Sequence, residues 1–219
     1  METYELSKHV VAYIDLLGMK KFIKHKANGL ALTMHDVYTL FNELVSRLPD
    51  HAEIKVKIFS DNIIITRRVT ESIENQRANL HQIIGLVEAF QYLLLYRSRS
   101  LMRGGIVIGE LYIDDVFTIG QALVDAYYME DKLAIYPRVI IDSSLSPIIQ
   151  SNAHTLIDTD GLRYIDFLSM AGDEKTKIEV LSLYEDIIQS VLSTESDKRV
   201  IQKLKWCEAY RHAWIQKHC

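Results

Sequence analysis

The chain has 219 residues, of which 48% are hydrophobic and 25% are charged, and its formal net charge is −4. These values are typical of a globular domain, exclude a disordered chain, and leave no dense basic patch of the kind that general DNA or RNA binders carry. Two cysteines exclude a disulfide framework and no apolar run approaches the ~20 residues of a membrane span, so we expect a cytoplasmic protein that binds neither nucleic acid nor a membrane.

The first part of the chain predicts a strand, a helix and a hairpin. The run HVVAYIDLL, which Gly18 ends, predicts a buried strand over about 9–16, because β-branched and aromatic residues dominate it. Apolar residues at helical spacing then predict an amphipathic helix that ends before Pro49; they are Val37, Leu40, Phe41, Leu44, Val45 and Leu48. In EIKVKIFSDNIIIT, two alternating runs flank turn-forming residues, which predicts a β-hairpin with Asp61 at its tip.

The middle and the end of the chain add a second helix, more strands and a helical tail. An apolar stripe predicts a helix over about 80–94, and strands follow in GGIVIGELYI and VFTIG, which gives the order βαββαβ. We interpret 121–133 as a helix, YPRVIID as a strand, and DTDGLRYIDFL as a turn and an extended segment. The pattern beyond 173 is helical, so we expect an α+β domain over 1–172 with helices of 173–219 packed on it.

Two aspartates stand at predicted strand ends. Each has an ordinary explanation, Asp15 as the cap of the next helix and Asp61 as a turn former. The βαββαβ order, however, puts the first strand beside the hairpin and brings the two carboxylates to one edge. Such a pair, with the Leu16 carbonyl, suits Mg²⁺ or Mn²⁺, and the backbone N–H groups from about Leu17 to Lys20 favour a phosphate. The sequence therefore predicts a metal-triphosphate site.

These motifs resemble those of the class III nucleotide cyclases, in which an Asp-hydrophobic-x-Gly element pairs with a second Asp at a hairpin. Here they are Asp15-Leu16-Leu17-Gly18 and Asp61, and RGGIVIGELY followed by FTIGQALVDAYYMEDKLA is similar to the later block of that family. The resemblance covers roughly residues 9–142. More narrowly, AYIDLLGMKKF, FSDNIII and RGGIVIGELY resemble the pyrimidine cyclases of the Pycsar anti-phage systems.

The resemblance implies an α+β fold with a ferredoxin-like βαββαβ core of the class III cyclase type, extended by further strands and a C-terminal helical segment. It implies a lyase that converts UTP, or with less preference CTP, to the 3′,5′-cyclic nucleotide and pyrophosphate. It also implies two Mg²⁺ or Mn²⁺ ions held by Asp15, Leu16 and Asp61, a homodimer with sites between its subunits, and a separate effector that responds to the cyclic nucleotide in anti-phage defence.

Residue roles follow from matching positions. The resemblance places Gly18 by the phosphates and Lys57, four residues before Asp61, at the base, with Phe59 on the same strand face. Phe117 stands three residues before Gly120, where adenylyl cyclases carry an Asp that reads the purine, and a ring there favours a pyrimidine. The ordinary alternatives are a solvated lysine and a packing phenylalanine.

The helix after Gly120 departs from the family pattern. Purine cyclases carry an Asn and a transition-state Arg four and eight residues past this Gly, where this chain has Val124 and Tyr128. We rank Arg103 first as the replacement for the missing charge, ahead of three other arginines, namely Arg67, Arg68 and Arg138. We interpret Tyr127 and Tyr128 as core or dimer-contact residues.

Three other functions remain open. A catalytically silent cyclase-like module that binds a nucleotide would explain the missing Asn and Arg, whereas the retained aspartate pair favours an enzyme. A purine nucleotide cyclase would keep the same metal site. A palm-type polymerase or diguanylate-cyclase-like domain shares the βαββαβ order, but the sequence has no GGDEF-like hairpin.

Overall fold

The computed structural model describes residues 5–18, 34–152 and 154–218. Its strands are β1 Ser7–Leu16, β2 Ile54–Phe59, β3 Asn62–Arg68, β4 Met102–Ile113, β5 Thr118–Ile119, β6 Val139–Ile141, β7 Thr155–Ile157 and β8 Arg163–Ile165. Its helices are α1 34–46, α2 Ile73–Ser98, α3 Gln121–Tyr128, α4 Glu174–Leu192 and α5 Lys198–His218. None of these helices combines the length and the apolar character needed to cross a bilayer.

The strands form one mixed sheet in the order β2-β3-β1-β4-β6-β8-β7, and β5 pairs with the far end of β4. The first four strands pair antiparallel with one another, and helices α1 and α2 connect them in the order βαββαβ. This is the ferredoxin-like core that the sequence predicts. Strand β6 adds to β4 in parallel, and β8 and β7 extend the sheet antiparallel. The predicted α+β class with additional strands is confirmed.

Strand β1 lies at the centre of this core and begins two residues earlier than predicted. It pairs with β3 on one side and with β4 on the other. The segment from Val10 to Ile14 is buried, because helices and loops cover both faces of the sheet there. A strand that is buried on both faces is apolar throughout, whereas a strand buried on one face alternates apolar and polar residues. The continuous apolar run is the pattern that predicts β1 from the sequence.

The side chains of Tyr13 and Asp15 point to one face of the sheet, and those of Ile14 and Leu16 point to the other. We call the face of Tyr13 and Asp15 the site face. Helix α2 covers the opposite face, since Arg67, which pairs with Val10, donates a hydrogen bond to Gln82 of α2.

Helix α3 packs on the site face. It can do so because Gly105 of β4 has no side chain: a Cβ there would lie 2.5 Å from Cβ of Met129 and 2.9 Å from the carbonyl oxygen of Ala126. The predicted helix over 121–133 is confirmed, except that its last turn, Met129–Leu133, is a π-helix. This wider turn carries Glu130, which is buried.

Helices α4 and α5 pack on the far half of the sheet. The Trp206 indole N–H of α5 donates to Asp158 Oδ2 over 2.7 Å, and the buried Tyr210 hydroxyl donates to Asp166 before α4. The division into a domain of 1–172 and a tail of 173–219 remains a prediction, because these contacts join the two parts without marking a boundary.

Arg138 belongs to this contact and not to the predicted site. Its side chain is 1% exposed and forms ion pairs with Asp158 and Asp160. Its guanidinium also lies over the rings of Tyr136 and Trp206, at 5.2 and 5.7 Å from their centroids. A cation so enclosed is held by its partners and cannot reach a substrate, so the suggestion that Arg138 supplies catalytic charge is wrong.

Candidate active site at the end of strand β1

Asp15 lies in a row of paired residues that crosses the site face. The register pairs Phe59 with Asn62, Asn62 with Asp15, and Asp15 with Arg103. Directly paired residues of antiparallel strands project from the same face, so these four side chains are neighbours. The Tyr13 hydroxyl, two residues along β1, donates to Asn62 Oδ1 over 2.8 Å, which confirms the shared face.

Asp61 reaches the same place through the hairpin that the sequence predicts. Strands β2 and β3 are joined by Ser60 and Asp61, with Ser60 at φ 57°. The Leu16 N–H donates to the Asp61 carbonyl oxygen over 2.9 Å and so ties the turn to the end of β1. Burial raises the pKa of Asp15, Arg103 opposes this increase, and the Asp61 charge adds to it. The two aspartates therefore interact, as the topology predicts.

Arg103 joins Asp15 to a third carboxylate. Its Nε donates to Asp15 Oδ2 over 3.3 Å, and its Nη2 lies 2.6 Å from Glu130 Oε1. The second contact is an ion pair without a hydrogen bond, so Glu130 Oε1 has no hydrogen-bond partner among the described residues. Burial raises the pKa of Glu130 to about 7, although Arg103 opposes this. The arginine ranked first from the sequence is the one that the fold brings to Asp15.

Glu130 was missed by the sequence analysis. A signal exists, since Ala122, Ala126 and Glu130 recur at four-residue spacing and share one helix face. The first two are buried alanines that allow α3 to approach the sheet. An acidic residue that continues such a face is directed into the protein, where it requires a cationic partner.

Lys203 of α5 is a second residue that the sequence analysis missed. It is partly buried, and its positive charge acts on both Asp15 and Glu130. Burial lowers the pKa of Lys203, and the positive charge of Arg103 lowers it further. Arg103 of β4 thus contacts Asp15 of β1 and Glu130 of the π-helical turn, and the charge of Lys203 in α5 acts on all three.

The donor set fits a hard divalent cation completed by a substrate. The described residues contain no cluster of three or more His, Cys, Asp or Glu side chains able to cage a metal by themselves. Mg²⁺ is commonly held by one or two carboxylates with substrate phosphates filling the shell, and two oxygen-donating aspartates match that pattern. Leu17 and Gly18 form a turn directly after β1, with Gly18 at φ 84°, while Met19 and Lys20 lie outside the described residues.

Lys57 and Phe117 are the two residues expected to select the base. Lys57 lies one row along the sheet from Asp15, and Phe117 lies on the β4–β5 loop. Lys57 lies in the row beside Tyr13, and Phe59 is half exposed. Phe117 is 44% exposed and contacts the Tyr112 ring at a centroid distance of 5.1 Å. The pKa of Asp114 is lowered, most strongly by a hydrogen bond from the Phe117 amide and then by one from the Tyr112 hydroxyl. The charge of Lys57 also lowers it. Lys57 is thus within electrostatic reach of the loop that carries Phe117.

Other predicted candidates are not at this site. Arg67 and Arg68 pair with Val10 and His9, at the opposite end of β1 and roughly 15–20 Å from Asp15. They cannot replace the missing transition-state arginine. Val124 and Tyr128 are 57% and 55% exposed on α3, and Tyr127 is also exposed, although its ring lies 5.5 Å from that of Tyr13. A core role for the two tyrosines is therefore wrong, and a contact between subunits remains a prediction.

Comparison with solved structures places this arrangement in a known fold. The adenylyl cyclase CyaB from P. aeruginosa superposes with a TM-score of 0.54 at 14% identity, over 74% of this chain and 95% of that one. The monomeric guanylyl cyclase domain of the RhoGC fusion protein from Blastocladiella emersonii gives 0.54 at 15% identity, over 76% and 98%. A class III adenylyl cyclase-like ATP-binding protein from Pseudomonas aeruginosa gives 0.53 at 12% identity, over 83% and 43%.

At the level of sequence, no family model and no curated protein matches the chain. Sequence identities of 12–15% support a shared fold and nothing beyond it. The sheet order, the covering helices and these superpositions agree, and the chain has the fold of the class III nucleotide cyclase domains.

Proposed function

We propose that this protein is a nucleotide cyclase that converts UTP, in preference to CTP, to the 3′,5′-cyclic nucleotide and pyrophosphate. The observation that carries the proposal is the meeting of Asp15, Asp61 and Arg103 at the end of β1, within a cyclase fold. Two acids and a guanidinium at one sheet edge suit a metal-bound triphosphate better than a neutral ligand.

Asp15, Asp61 and the Leu16 carbonyl would hold two Mg²⁺ or Mn²⁺ ions. When bound, such ions supply activation of the ribose 3′-hydroxyl and neutralisation of the leaving pyrophosphate. The chain itself positions the nucleotide so that the 3′-oxygen attacks the α-phosphorus, the bond to the β-phosphate oxygen breaks, and the hydroxyl proton passes to solvent. An intramolecular attack requires orientation and charge stabilisation rather than a protein nucleophile.

Arg103 is the residue that we assign to charge stabilisation. Its guanidinium is fixed from two sides, by Asp15 and by Glu130, and so has a defined position before any substrate arrives. A preorganised cation loses little freedom when charge develops on the phosphates. Arg103 would take the role that an arginine of α3 plays in purine cyclases, for which α3 here provides Tyr128.

The base preference rests on Lys57 and Phe117. Lysine donates hydrogen bonds and accepts none, which suits the carbonyl oxygens O2 and O4 of uracil, while cytosine has a donor amine in place of O4. Phe117 offers a ring where a hydrogen-bonding residue would read a purine edge, and a site without such a group loses its means of selecting a purine. These features support UTP first and CTP second.

The expected assembly is a homodimer with sites between its subunits. Three exposed apolar side chains on α3 support this assembly, because the surface of a monomeric protein rarely exposes several large apolar side chains together. They are Val124, Tyr127 and Tyr128. The expected cellular role is to make a second messenger for a separate cyclic-nucleotide-responsive effector in anti-phage defence.

One assay tests the activity directly. The purified protein is incubated with each of the four NTPs and Mn²⁺, and products are identified by mass spectrometry. We expect cyclic UMP as the main product and cyclic CMP as a minor one. Cyclic AMP or cyclic GMP as the main product would refute the pyrimidine preference and leave a purine cyclase, the activity named for the adenylyl and guanylyl cyclase structures above.

A second candidate is a catalytically silent module that binds a nucleotide. Val124 and Tyr128 favour it, because neither replaces the Asn and Arg of the purine enzymes, and one similar structure is described as a cyclase-like ATP-binding protein. Nucleotide binding by calorimetry with no cyclic product from any NTP would select this function over the enzyme.

A further inference from the structure

Asn62 lies between the hairpin aspartate and the central strand, and hydrogen bonds join it to both. The Tyr13 hydroxyl of β1 donates to Asn62 Oδ1 over 2.8 Å, and Asn62 Nδ2 donates to Asp61 Oδ1 over 3.3 Å. Asn62 is the first residue of β3 and pairs with Asp15. One amide thus connects the strand that carries the first aspartate to the side chain of the second.

The Tyr13 hydroxyl determines which end of the Asn62 amide faces Asp61. An asparagine amide offers one acceptor oxygen and one donor nitrogen, whereas an ionised carboxylate only accepts. With Oδ1 engaged by the hydroxyl, the donor nitrogen is directed to Asp61. The reverse orientation would bring an amide oxygen against a carboxylate oxygen. The hydrogen bonds therefore run in one direction, from Tyr13 through Asn62 to Asp61.

Tyr13 is itself held in place. It is 7% exposed, and its ring meets that of Tyr127 edge-on with the centroids 5.5 Å apart. On β4 it pairs with Gly105, over which α3 packs. A buried tyrosine hydroxyl requires a partner, and among the described residues Asn62 provides it. The donor at the start of this series of hydrogen bonds therefore has a fixed position.

The backbone and the side chain of Asp61 are restrained by different partners. Its carbonyl oxygen accepts from the Leu16 N–H over 2.9 Å, which fixes the backbone of the turn but leaves the carboxylate free to rotate. Within the described part of the chain, Asn62 is the side chain that hydrogen-bonds this carboxylate. A carboxylate that is held at one oxygen presents its other oxygen in a defined direction.

From this arrangement we propose that Asn62 is a positioning residue of the metal site. It orients the Asp61 carboxylate for the divalent cation, and Tyr13 keeps the Asn62 amide in the required orientation. The inference rests on the proposed function for the role of Asp61 as a metal ligand. Carboxylates that bind metals are themselves hydrogen-bonded, and loss of such a partner typically lowers metal affinity or activity by about 10–100-fold.

The test measures Mn²⁺ binding to the full chain without nucleotide, followed through the electron paramagnetic resonance signal of free Mn²⁺. Asn62→Leu keeps a side chain of similar size but removes the donor, so the dissociation constant should rise by about 10–100-fold. Tyr13→Phe keeps the buried ring and removes only the hydroxyl, so we expect a rise of about two- to tenfold, the loss of one neutral hydrogen bond. Circular dichroism checks that each variant folds.

The double variant separates a positioning role from a structural one. Because Tyr13 acts on the cation through Asn62, Tyr13→Phe combined with Asn62→Leu should bind Mn²⁺ like Asn62→Leu alone. Two matched controls remove the same groups elsewhere and should bind Mn²⁺ like the parent. They are Asn152→Leu, on the exposed turn before β7, and Tyr96→Phe, whose hydroxyl donates to Glu179 of α4 over 3.1 Å.

Turnover of UTP gives a second measurement. A defect in cation positioning should raise the Mn²⁺ concentration for half-maximal turnover by the same factor as the dissociation constant, so excess Mn²⁺ should restore much of kcat in Asn62→Leu. Parent-like Mn²⁺ affinity in Asn62→Leu or in Tyr13→Phe, losses that add in the double variant, or no Mn²⁺ binding by the parent would overturn the assignment. If Mn²⁺ binding depends on Asn62 but no NTP is cyclised, the positioning role stands and the proposed reaction fails.

Discussion

Asp15 and Asp61 occupy strand ends, so they can be changed without opening the core. We expect Asp15→Ala and Asp61→Ala each to lower cyclase activity at least 100-fold, because each removes an oxygen donor that the cations require. The measurement is cyclic nucleotide formation with Mn²⁺, with circular dichroism as the check on folding. If both variants fold and turn over like the parent, the metal site lies elsewhere.

The base preference belongs to two residues and can be tested with a neighbour as control. Phe117→Asp should shift the preference towards ATP or GTP, because it restores an acceptor for a purine edge. Lys57→Ala should weaken discrimination in favour of UTP. Competition between NTPs measures both effects, and Val116→Asp, on the exposed adjacent residue, should change neither. Unchanged preference in both variants would place the pocket on other residues.

Glu130 should give the fold a pH dependence. Its pKa of about 7 in the folded protein lies above the ordinary 4.5, so between these values the folded chain binds more protons than the unfolded chain. The free energy of unfolding should therefore fall as the pH rises from about 4.5 to about 7, by on the order of 1–3 kcal/mol. Urea unfolding at pH 5 and pH 8 measures this difference.

Glu130→Gln provides the comparison, since glutamine cannot ionise and should flatten the pH dependence. Asp15, whose pKa burial also raises, adds a dependence of the same sign that both proteins share. The same slope in the parent and in the variant would show that Glu130 is ionised at pH 5 in the folded state.

At the scale of elements, the packing of α3 against β4 determines the position of Glu130. Gly105→Ala would bring a methyl group to within 3.0 Å of Met129 and the Ala126 carbonyl, so we expect a loss of about 1–3 kcal/mol in stability and a loss of activity. Gly85→Ala is the control: it lies exposed within α2 with open space at its Cβ and should be neutral or slightly stabilising. Equal free energies of unfolding for the two variants in urea would contradict the close packing of α3 on Gly105.

At the scale of the whole molecule, the exposed face of α3 should join two subunits. We expect light scattering to give the mass of a dimer, and the double substitution Val124→Glu with Tyr128→Glu to give an inactive monomer, because charges would replace apolar contacts. Ile178→Glu, on the exposed surface of α4, should leave both mass and activity unchanged. A fully active parent monomer would contradict the shared site.

The sequence by itself determined the elements that local patterns specify. The apolar run of β1, the turn at Asp61 and the order βαββαβ are visible as periodicity and turn chemistry, and they place the aspartates at one edge because the topology allows little else. The departure from the family pattern at Val124 and Tyr128 made Arg103 the first candidate for the missing charge, without any information on packing.

Only the tertiary structure decided which charges meet at that edge. Glu130 comes to Arg103 because α3 closes on Gly105, and the charge of Lys203 in α5 acts on the same cluster. Neither residue belongs to a local motif. Conversely, Arg138 is not a candidate for the catalytic charge, because it is buried and forms ion pairs with Asp158 and Asp160. Such pairings depend on how distant elements pack, and the free energy of a charge is set by its surroundings more than by its place in the sequence.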